Sequence, residues 1–144
     1  MSARVWRTSS EEETIALGET IAAELPRRAV VMLIGELGAG KTTISKGIVR
    51  GLGAAEPEQV SSPTFTLIHE YGAGGKVYHI DLYRLETERE VASLGLEEVL
   101  DREAVVLIEW GERFPALMPA ERIEIRLETQ EDDTRVVTLT RHPG

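Results

Sequence analysis

The sequence of 144 residues contains no cysteine and no asparagine, and each absence excludes a kind of site. Without cysteine there is no disulfide, no thiol nucleophile and no thiolate ligand for a metal. Without asparagine there is no Asn-Lys-x-Asp element, through which the usual GTP-dependent switch proteins select guanine. The lack of cysteine also fits a reducing compartment.

Long hydrophobic runs are absent as well. The longest apolar segments, residues 29–34 and 104–108, are much too short to cross a bilayer. No apolar stretch near the N-terminus marks a signal peptide. We therefore expect a cytoplasmic protein that does not contact a membrane, and the length of the chain suits a single domain over residues 1–144.

Positive charge is scarce. The chain has 16 lysine and arginine residues against 25 aspartate and glutamate residues, a formal net charge of −9. Proteins that bind nucleic acid through their own surface usually carry a basic patch, whereas the basic residues here are scattered. The acidity either serves solubility alone or means that, if a nucleic acid matters, another protein holds it.

The spacing of apolar residues predicts an α/β domain with a mixed sheet. Residues 29–34 and 104–108 are continuously apolar, which is typical of strands covered on both faces. Three glycines within residues 72–75 predict a hairpin loop between two neighbouring strands. The predicted strands are 5–8, 29–34, 64–71, 76–83, 104–108, 123–127 and 136–140; the predicted helices are 9–25, about 41–52, and 87–102 with a break near Gly95.

Residues 35–42, GELGAGKT, match the phosphate-binding pattern G-x-x-x-x-G-K-[ST] at every position. The glycines let backbone N–H groups converge on phosphate oxygens, and the following helix presents its positive end to the same anion. Lys41 can place a cation on the β- and γ-phosphates, and the Thr42 hydroxyl can bind Mg²⁺. The context supports this interpretation over an incidental glycine-rich turn, because an apolar strand ends at Ile34 and a helix begins at Lys41.

Two acidic residues are candidates for facing a phosphate-bound metal. Glu109 directly follows an apolar strand, at the end where open α/β sheets bind ligands. Strand alternation puts Asp81 on the same face as His79. The alternatives are that Glu109 only marks the end of its strand, and that Asp81 is an edge-strand carboxylate paired with Arg84. His79 is either a hydrogen-bonded structural residue or a catalyst.

Two further features are open to more than one interpretation. Residues 61–64, SSPT, lie between the phosphate-loop helix and the hairpin, where a loop could sense the γ-phosphate or the metal. The alternative is a plain polar connection. Trp110, next to Glu109, is expected to serve packing rather than stacking on a base.

Together these segments resemble one family, the bacterial ATPases of tRNA threonylcarbamoyladenosine biosynthesis known as TsaE. The resemblance extends over about residues 9–128 and combines a generic phosphate loop with two specific motifs, HIDLYR and IEW. The matching segments are residues 35–43, 62–67, 78–85, 94–96 and 108–110.

The resemblance implies a three-layer fold like that of P-loop NTPases, and a protein that binds and hydrolyses ATP with Mg²⁺. It also implies two protein partners, which attach a threonylcarbamoyl group to an adenosine beside the tRNA anticodon. The protein itself would not perform that transfer, and it would reach tRNA only through those partners.

Individual site residues are also implied by the resemblance. Thr42 and Glu109 are expected to bind Mg²⁺, and Asp81 is expected to be important for hydrolysis. Glu11, at the start of the first helix, is expected to approach the nucleotide. The expected catalytic residues are Asp81, Lys41 and Glu109, and the expected nucleotide contacts are Glu11, Gly38, Ala39, Gly40, Lys41, Thr42 and Thr43. Phe65 stands where tyrosine is common, and the role of Arg135 is left open.

A small-molecule kinase is the main alternative function. A kinase needs an acceptor pocket and usually arginines on a closing lid. After the phosphate-loop helix the sequence has no arginine cluster and little length for a lid. A GTP-dependent switch is a weaker alternative because the guanine-selecting element is missing.

Overall fold

The predicted elements fold into a seven-stranded sheet flanked by helices in the computed structural model, which describes residues 3–73 and 76–144. The strands are β1 (Ala3–Thr8), β2 (Ala29–Ile34), β3 (Ile68–Tyr71), β4 (Val77–Asp81), β5 (Val105–Glu109), β6 (Glu121–Thr129) and β7 (Arg135–Pro143). The helices are α1 (Glu11–Ala22), α2 (Lys41–Gly51), α3 (Glu88–Ser93) and α4 (Leu96–Leu100), with 3-10 turns at Pro57–Gln59, Gly111–Arg113 and Pro115–Leu117.

The sheet has the strand order β1-β7-β6-β2-β5-β4-β3. Its four central strands, β6, β2, β5 and β4, are parallel, and the strands outside them pair antiparallel. Along β5, Val105 and Leu107 face the layer that contains α1 and α2, whereas Val106 and Ile108 face α3 and α4. The predicted α/β fold with a mixed sheet is therefore confirmed, with helices on both faces.

The parallel strands bring the candidate site together. In a parallel pair the carboxyl ends of both strands lie at the same edge. Asp81 at the end of β4 pairs with Glu109 at the end of β5, and Glu109 pairs in turn with Leu33 near the end of β2. The phosphate loop and both candidate acids consequently leave the sheet at one edge.

The hairpin differs from its prediction at two points. β3 begins at Ile68 instead of residue 64, because the preceding residues form a turn in which Leu67 N–H donates to Pro63 O at 2.6 Å and Leu67 has a φ of 72°. β4 ends at Asp81 instead of Tyr83, because Tyr83 N–H donates to the Asp81 carboxylate at 2.8 Å and turns the chain. β3 and β4 pair antiparallel as predicted, while residues 74 and 75 of the predicted loop lie outside the described residues.

The predicted helices are largely confirmed. The Ser10 hydroxyl caps α1 by accepting from Glu13 N–H at 3.1 Å, although α1 ends at Ala22, before the predicted end at residue 25. Gly95, with a φ of 79°, separates α3 from α4 at the predicted break. In the described part of the chain no helix has the length and hydrophobicity to span a membrane.

Helices α1 and α2 run in the same direction and touch through glycines. A Cβ on Gly18 would lie 2.5 Å from the Ile44 carbonyl oxygen, and a Cβ on Gly47 would collide with the Ile15 carbonyl oxygen. The close approach fixes the start of α1, where Glu11 lies, beside the first turn of α2. The glycines therefore contribute to the site indirectly, because they set the distance between α1 and α2.

We predict that Gly47→Ala destabilises the protein. Alanine is the better helix former by about 0.8–1 kcal/mol, so helix propensity alone would raise the free energy of unfolding. The new methyl group would meet backbone atoms that cannot rotate away, and overpacking of this kind costs about 1–3 kcal/mol. Urea denaturation measures the difference. Lys46→Ala, on the same helix, is the control, and a Gly47→Ala protein as stable as wild type would contradict the close approach.

Candidate functional site

The loop between β2 and α2 adopts a conformation that only glycine favours at two positions. Gly38 has a φ of 81° and Gly40 a φ of 107°. Gly40 is the N-cap of α2 and has no side chain with which to cap the helix. The N–H groups of the first helical turn are therefore suited to an anion, toward which the helix dipole also points.

Lys41 is buried beneath this loop, with 5% of its surface exposed. Its ammonium group donates to the Gly35 carbonyl oxygen at 2.7 Å and so closes the loop on itself. Burial lowers the pKa of Lys41 from its usual value, and the carboxylates of Glu109 and Glu112 oppose that shift. The lysine is thus held at the loop by a backbone carbonyl and by the field of nearby acids.

The Trp110 ring packs against the Lys41 ammonium group. Nζ lies 3.7 Å from the centroid of the Trp110 ring, a distance that allows a cation–π interaction. Trp110 has a φ of 66°, and its ring also packs against Tyr83 at a centroid distance of 5.2 Å. In this structure Trp110 therefore packs on the lysine and a tyrosine.

The Asp81 carboxylate is held by three donors. Oδ2 accepts from the Thr64 hydroxyl at 2.8 Å and from the Ser62 hydroxyl at 3.4 Å, and Oδ1 accepts from Tyr83 N–H. The segment 61–64 thus binds directly to a candidate catalytic acid. Arg84, considered from the sequence as a partner of Asp81, donates instead to the Phe65 carbonyl oxygen at 3.2 Å.

Glu109 is bound to a histidine. Its Oε2 atom lies 2.6 Å from His79 Nε2, and both side chains are buried. The bond runs diagonally across the parallel pair, because His79 is in register with Leu107 rather than with Glu109. The two residues on one face of β4, His79 and Asp81, therefore have different partners, one in the neighbouring strand and one in the loop of residues 61–64.

One cleft of about 350 Å³ collects nearly all of the residues expected from the sequence. Ala39 differs, since it is buried and lines a neighbouring cavity of about 740 Å³. The expected residues that line the first cleft are Glu11, Gly38, Gly40, Lys41, Thr42, Thr43, Asp81 and Glu109.

Arg135 also lines this cleft, although the sequence left its role open. Its Nε atom donates to the Ala39 carbonyl oxygen at 2.8 Å, and Nη2 lies 3.4 Å from the Gly38 carbonyl oxygen. The side chain lies against Gly40, where a Cβ would come within 2.9 Å of Nε. Arg135, the first residue of β7, therefore stabilises the phosphate loop through hydrogen bonds to its carbonyl oxygens. No motif could have identified it, since 96 positions separate it from Ala39.

The donor atoms of the cleft suit a magnesium ion bound together with phosphate. Mg²⁺ prefers oxygen ligands and is usually held by one or two protein groups plus phosphates and water. Thr42 and Glu109 offer such oxygens in the cleft. Over residues 3–73 and 76–144, no cluster of three histidine, aspartate or glutamate side chains could hold a metal alone. The residues present fit Mg²⁺ carried by a nucleotide better than a metal cage made of protein.

Glu112 is a half-buried acid beside the phosphate loop. It lines the larger cavity, and no donor within the described residues reaches its buried Oε1 atom. Burial raises the pKa of Glu112, while the positive charges of Lys41 and Arg126 counteract part of that effect.

A family model and individual relatives both match this chain to the same family. The family model described as "Threonylcarbamoyl adenosine biosynthesis protein TsaE" matches residues 8–137. A relative from Bacillus subtilis, named tRNA threonylcarbamoyladenosine biosynthesis protein TsaE, is 43% identical over 136 residues, which cover 94% of this chain and 84% of the relative. A relative of the same name from a Nostoc species is 41% identical over 139 residues, covering 92% and 82%.

A solved structure agrees with these relatives. The crystal structure of Bacillus subtilis YdiB matches with a TM-score of 0.80 and 36% sequence identity. The match covers 98% of this chain and 86% of that one. The similarity therefore includes the sheet, the helices and the edge at which the cleft lies.

We predict that Glu112→Gln stabilises the protein more at neutral than at acid pH. A raised pKa means that the folded state binds the proton more tightly, so wild-type stability falls as pH rises from the unfolded pKa through the folded one. Glutamine does not titrate, so the stability of the variant does not fall in this way. The difference in the free energy of unfolding between Glu112→Gln and wild type should therefore increase from about pH 4 to about pH 7. Melting temperatures at both pH values measure it.

Glu90→Gln provides a control of opposite sign. Hydrogen bonds from the backbone of Glu86 and Thr87 lower the pKa of Glu90, so the wild-type carboxylate stabilises the fold above its unfolded pKa. Glu90→Gln should therefore lower the free energy of unfolding more at neutral pH than at acid pH. If Glu112→Gln stabilises the protein equally at both pH values, the pKa of Glu112 is not raised in the folded state.

Proposed function

Because the chain belongs to the TsaE family of threonylcarbamoyl adenosine biosynthesis proteins, we propose that it binds and hydrolyses ATP with Mg²⁺ in support of that tRNA modification. The observation that carries the proposal is the cleft itself, in which the phosphate loop meets Asp81 and Glu109. Residues 1–144 would form a single ATPase domain that acts in the cytoplasm.

The phosphate loop would bind the nucleotide through its backbone and Lys41. The first-turn N–H groups of α2 and the Lys41 ammonium group would meet the β- and γ-phosphates. Lys41 is already placed beneath the loop by its bond to Gly35. Glu11 and Thr43 line the same cleft, and each would contact the nucleotide.

Thr42 and Glu109 would hold the magnesium ion. Both line the cleft, and one comes from the start of α2 while the other ends β5. Bound there, Mg²⁺ would neutralise charge on the β- and γ-phosphates. Glu109 would otherwise repel the phosphates, so the carboxylate fits the site only together with a cation.

Asp81 would orient the water that attacks the γ-phosphate. Its carboxylate is fixed by the Thr64 hydroxyl and by Tyr83 N–H, so its direction is set before a nucleotide binds. A preset acceptor can align a water molecule without reorganisation. This accounts for an acid at the end of β4, beside Glu109.

Protein partners would complete the activity. The net charge of −9 opposes direct contact with tRNA, so the chain would reach tRNA through two protein partners that perform the threonylcarbamoyl transfer. Arg135 lines the cleft, but its guanidinium group donates a hydrogen bond to a carbonyl oxygen of the phosphate loop. A charge supplied by a partner can raise phosphoryl-transfer rates 10³–10⁵-fold, so the isolated chain would be a weak ATPase.

We predict that Lys41→Ala strongly weakens ATP binding. A charge-assisted contact to phosphate is worth about 1.5–3 kcal/mol, so the Kd should rise by about tenfold or more. Isothermal titration calorimetry with Mg-ATP measures the Kd, and a thermal melt establishes that the variant is folded. Lys46→Ala, which removes a lysine from the same helix, is the matched control. Equal affinity in the wild type and in a folded Lys41→Ala protein would refute the nucleotide site.

We predict that Asp81→Asn stops hydrolysis without preventing ATP binding. Loss of a positioned acceptor typically costs 10²–10⁴-fold in rate, whereas the amide keeps the size of the side chain. The ATPase rate should be measured with and without the other threonylcarbamoyl-transfer proteins of the same organism. The wild-type rate should rise with those proteins, and the Asp81→Asn rate should stay low in both conditions.

Asp101→Asn is the control for this experiment, because Asp101 lies near Arg28, away from the cleft. A wild-type rate that the partner proteins leave unchanged would contradict partner dependence. An Asp81→Asn protein that hydrolyses ATP at the wild-type rate would remove Asp81 from the mechanism.

A further inference from the structure

His79 is an unusual residue for its position in the sheet. It lies in the middle of β4 with 0% of its surface exposed, between strand residues that are otherwise apolar up to Asp81. Burying a polar side chain is unfavourable unless it is hydrogen-bonded. Its one hydrogen bond within the described residues goes to Glu109 Oε2, at 2.6 Å.

The bond has a defined direction. Carboxylate oxygens of an ionised glutamate only accept, so the imidazole Nε2–H donates to Glu109. His79 Nδ1 is buried and has no hydrogen-bond partner in the part of the chain that the structure describes. This arrangement fits the tautomer with its hydrogen on Nε2, because a second N–H at Nδ1 would be a buried donor without an acceptor.

We infer that His79 is the positioning residue of the metal-binding carboxylate. By holding Oε2, it fixes the side-chain torsions of Glu109 and leaves Oε1 for the metal. A single imidazole N–H can orient the carboxylate, whereas the permanent charge of an arginine in this place would compete with the metal for it. The inference rests on the proposed role of Glu109 as a ligand of Mg²⁺.

The alternative is that the pair only satisfies two buried polar groups. In that case replacing His79 would change the stability of the fold but not the affinity of the folded protein for metal. Partners that orient metal ligands have a measurable effect, since their loss typically weakens metal binding about 10–100-fold. Metal affinity and folding therefore separate the two roles.

The experiment measures Mn²⁺ binding to the full chain saturated with ADP, with free Mn²⁺ quantified by electron paramagnetic resonance. His79→Leu removes the donor at similar volume, and His79→Gln returns an amide donor close to the position of Nε2. His69→Leu is the matched control, because His69 faces His79 across the β3–β4 pair but is bound to Thr66 and Tyr71.

We expect Mn²⁺ affinity to fall about 10–100-fold in His79→Leu, to recover in part in His79→Gln, and to remain unchanged in His69→Leu. In a Glu109→Gln background, His79→Leu should cause no further loss, because residues that act through one another are not additive. If the leucine variant does not fold, His79→Asn replaces it, since its shorter amide cannot reach Glu109.

Two results separate failure of the inference from failure of the proposed site. If Glu109→Gln weakens Mn²⁺ binding while a folded His79→Leu protein binds Mn²⁺ like the wild type, His79 does not position the carboxylate. If Glu109→Gln itself leaves Mn²⁺ affinity unchanged, Glu109 is not a ligand and both the proposed metal site and the inference fall.

Discussion

The register between β4 and β5 places Asp81 directly beside Glu109, at the sheet edge from which the phosphate loop leaves β2. Two carboxylates therefore face a loop that is built to bind an anion. Like charges 4 Å apart near a protein surface repel by about 4 kcal/mol, so phosphate fits here only with cations between it and the acids. Lys41 supplies one positive charge, and in our proposal Mg²⁺ supplies another.

The surrounding structure holds each of these charges in place. Lys41 is bound to the Gly35 carbonyl oxygen and lies over the Trp110 ring. Asp81 is bound by the hydroxyls of Ser62 and Thr64, and Glu109 is bound by His79. Behind them, the glycine contacts between α1 and α2 set how closely the two helices approach each other. The cleft is thus preorganised by contacts from several different elements, as electrostatic stabilisation of a phosphate requires.

Local features were predictable from the sequence and long-range ones were not. β2 has its predicted bounds and α2 begins at the predicted residue, because an apolar run and a glycine-rich turn are local signals. Residues 64–67 were wrongly predicted as strand, because Leu67 N–H closes a turn on the Pro63 carbonyl oxygen and Leu67 takes a positive φ. The Thr64 hydroxyl in this turn also donates to Asp81, 17 positions away. The brace from Arg135 and the bond between His79 and Glu109 likewise depend on which strands become neighbours. Pairing of distant strands leaves no pattern in a short stretch of sequence.

A crystal structure of the chain with Mg²⁺ and a non-hydrolysable ATP analogue tests the central claim most directly. The account predicts that the phosphates lie in the loop of residues 35–42, with Mg²⁺ on Thr42 and Glu109 and with Asp81 facing the γ-phosphate. A nucleotide bound instead in the larger cavity beside Ala39 and Glu112, with no metal at Glu109, would contradict it.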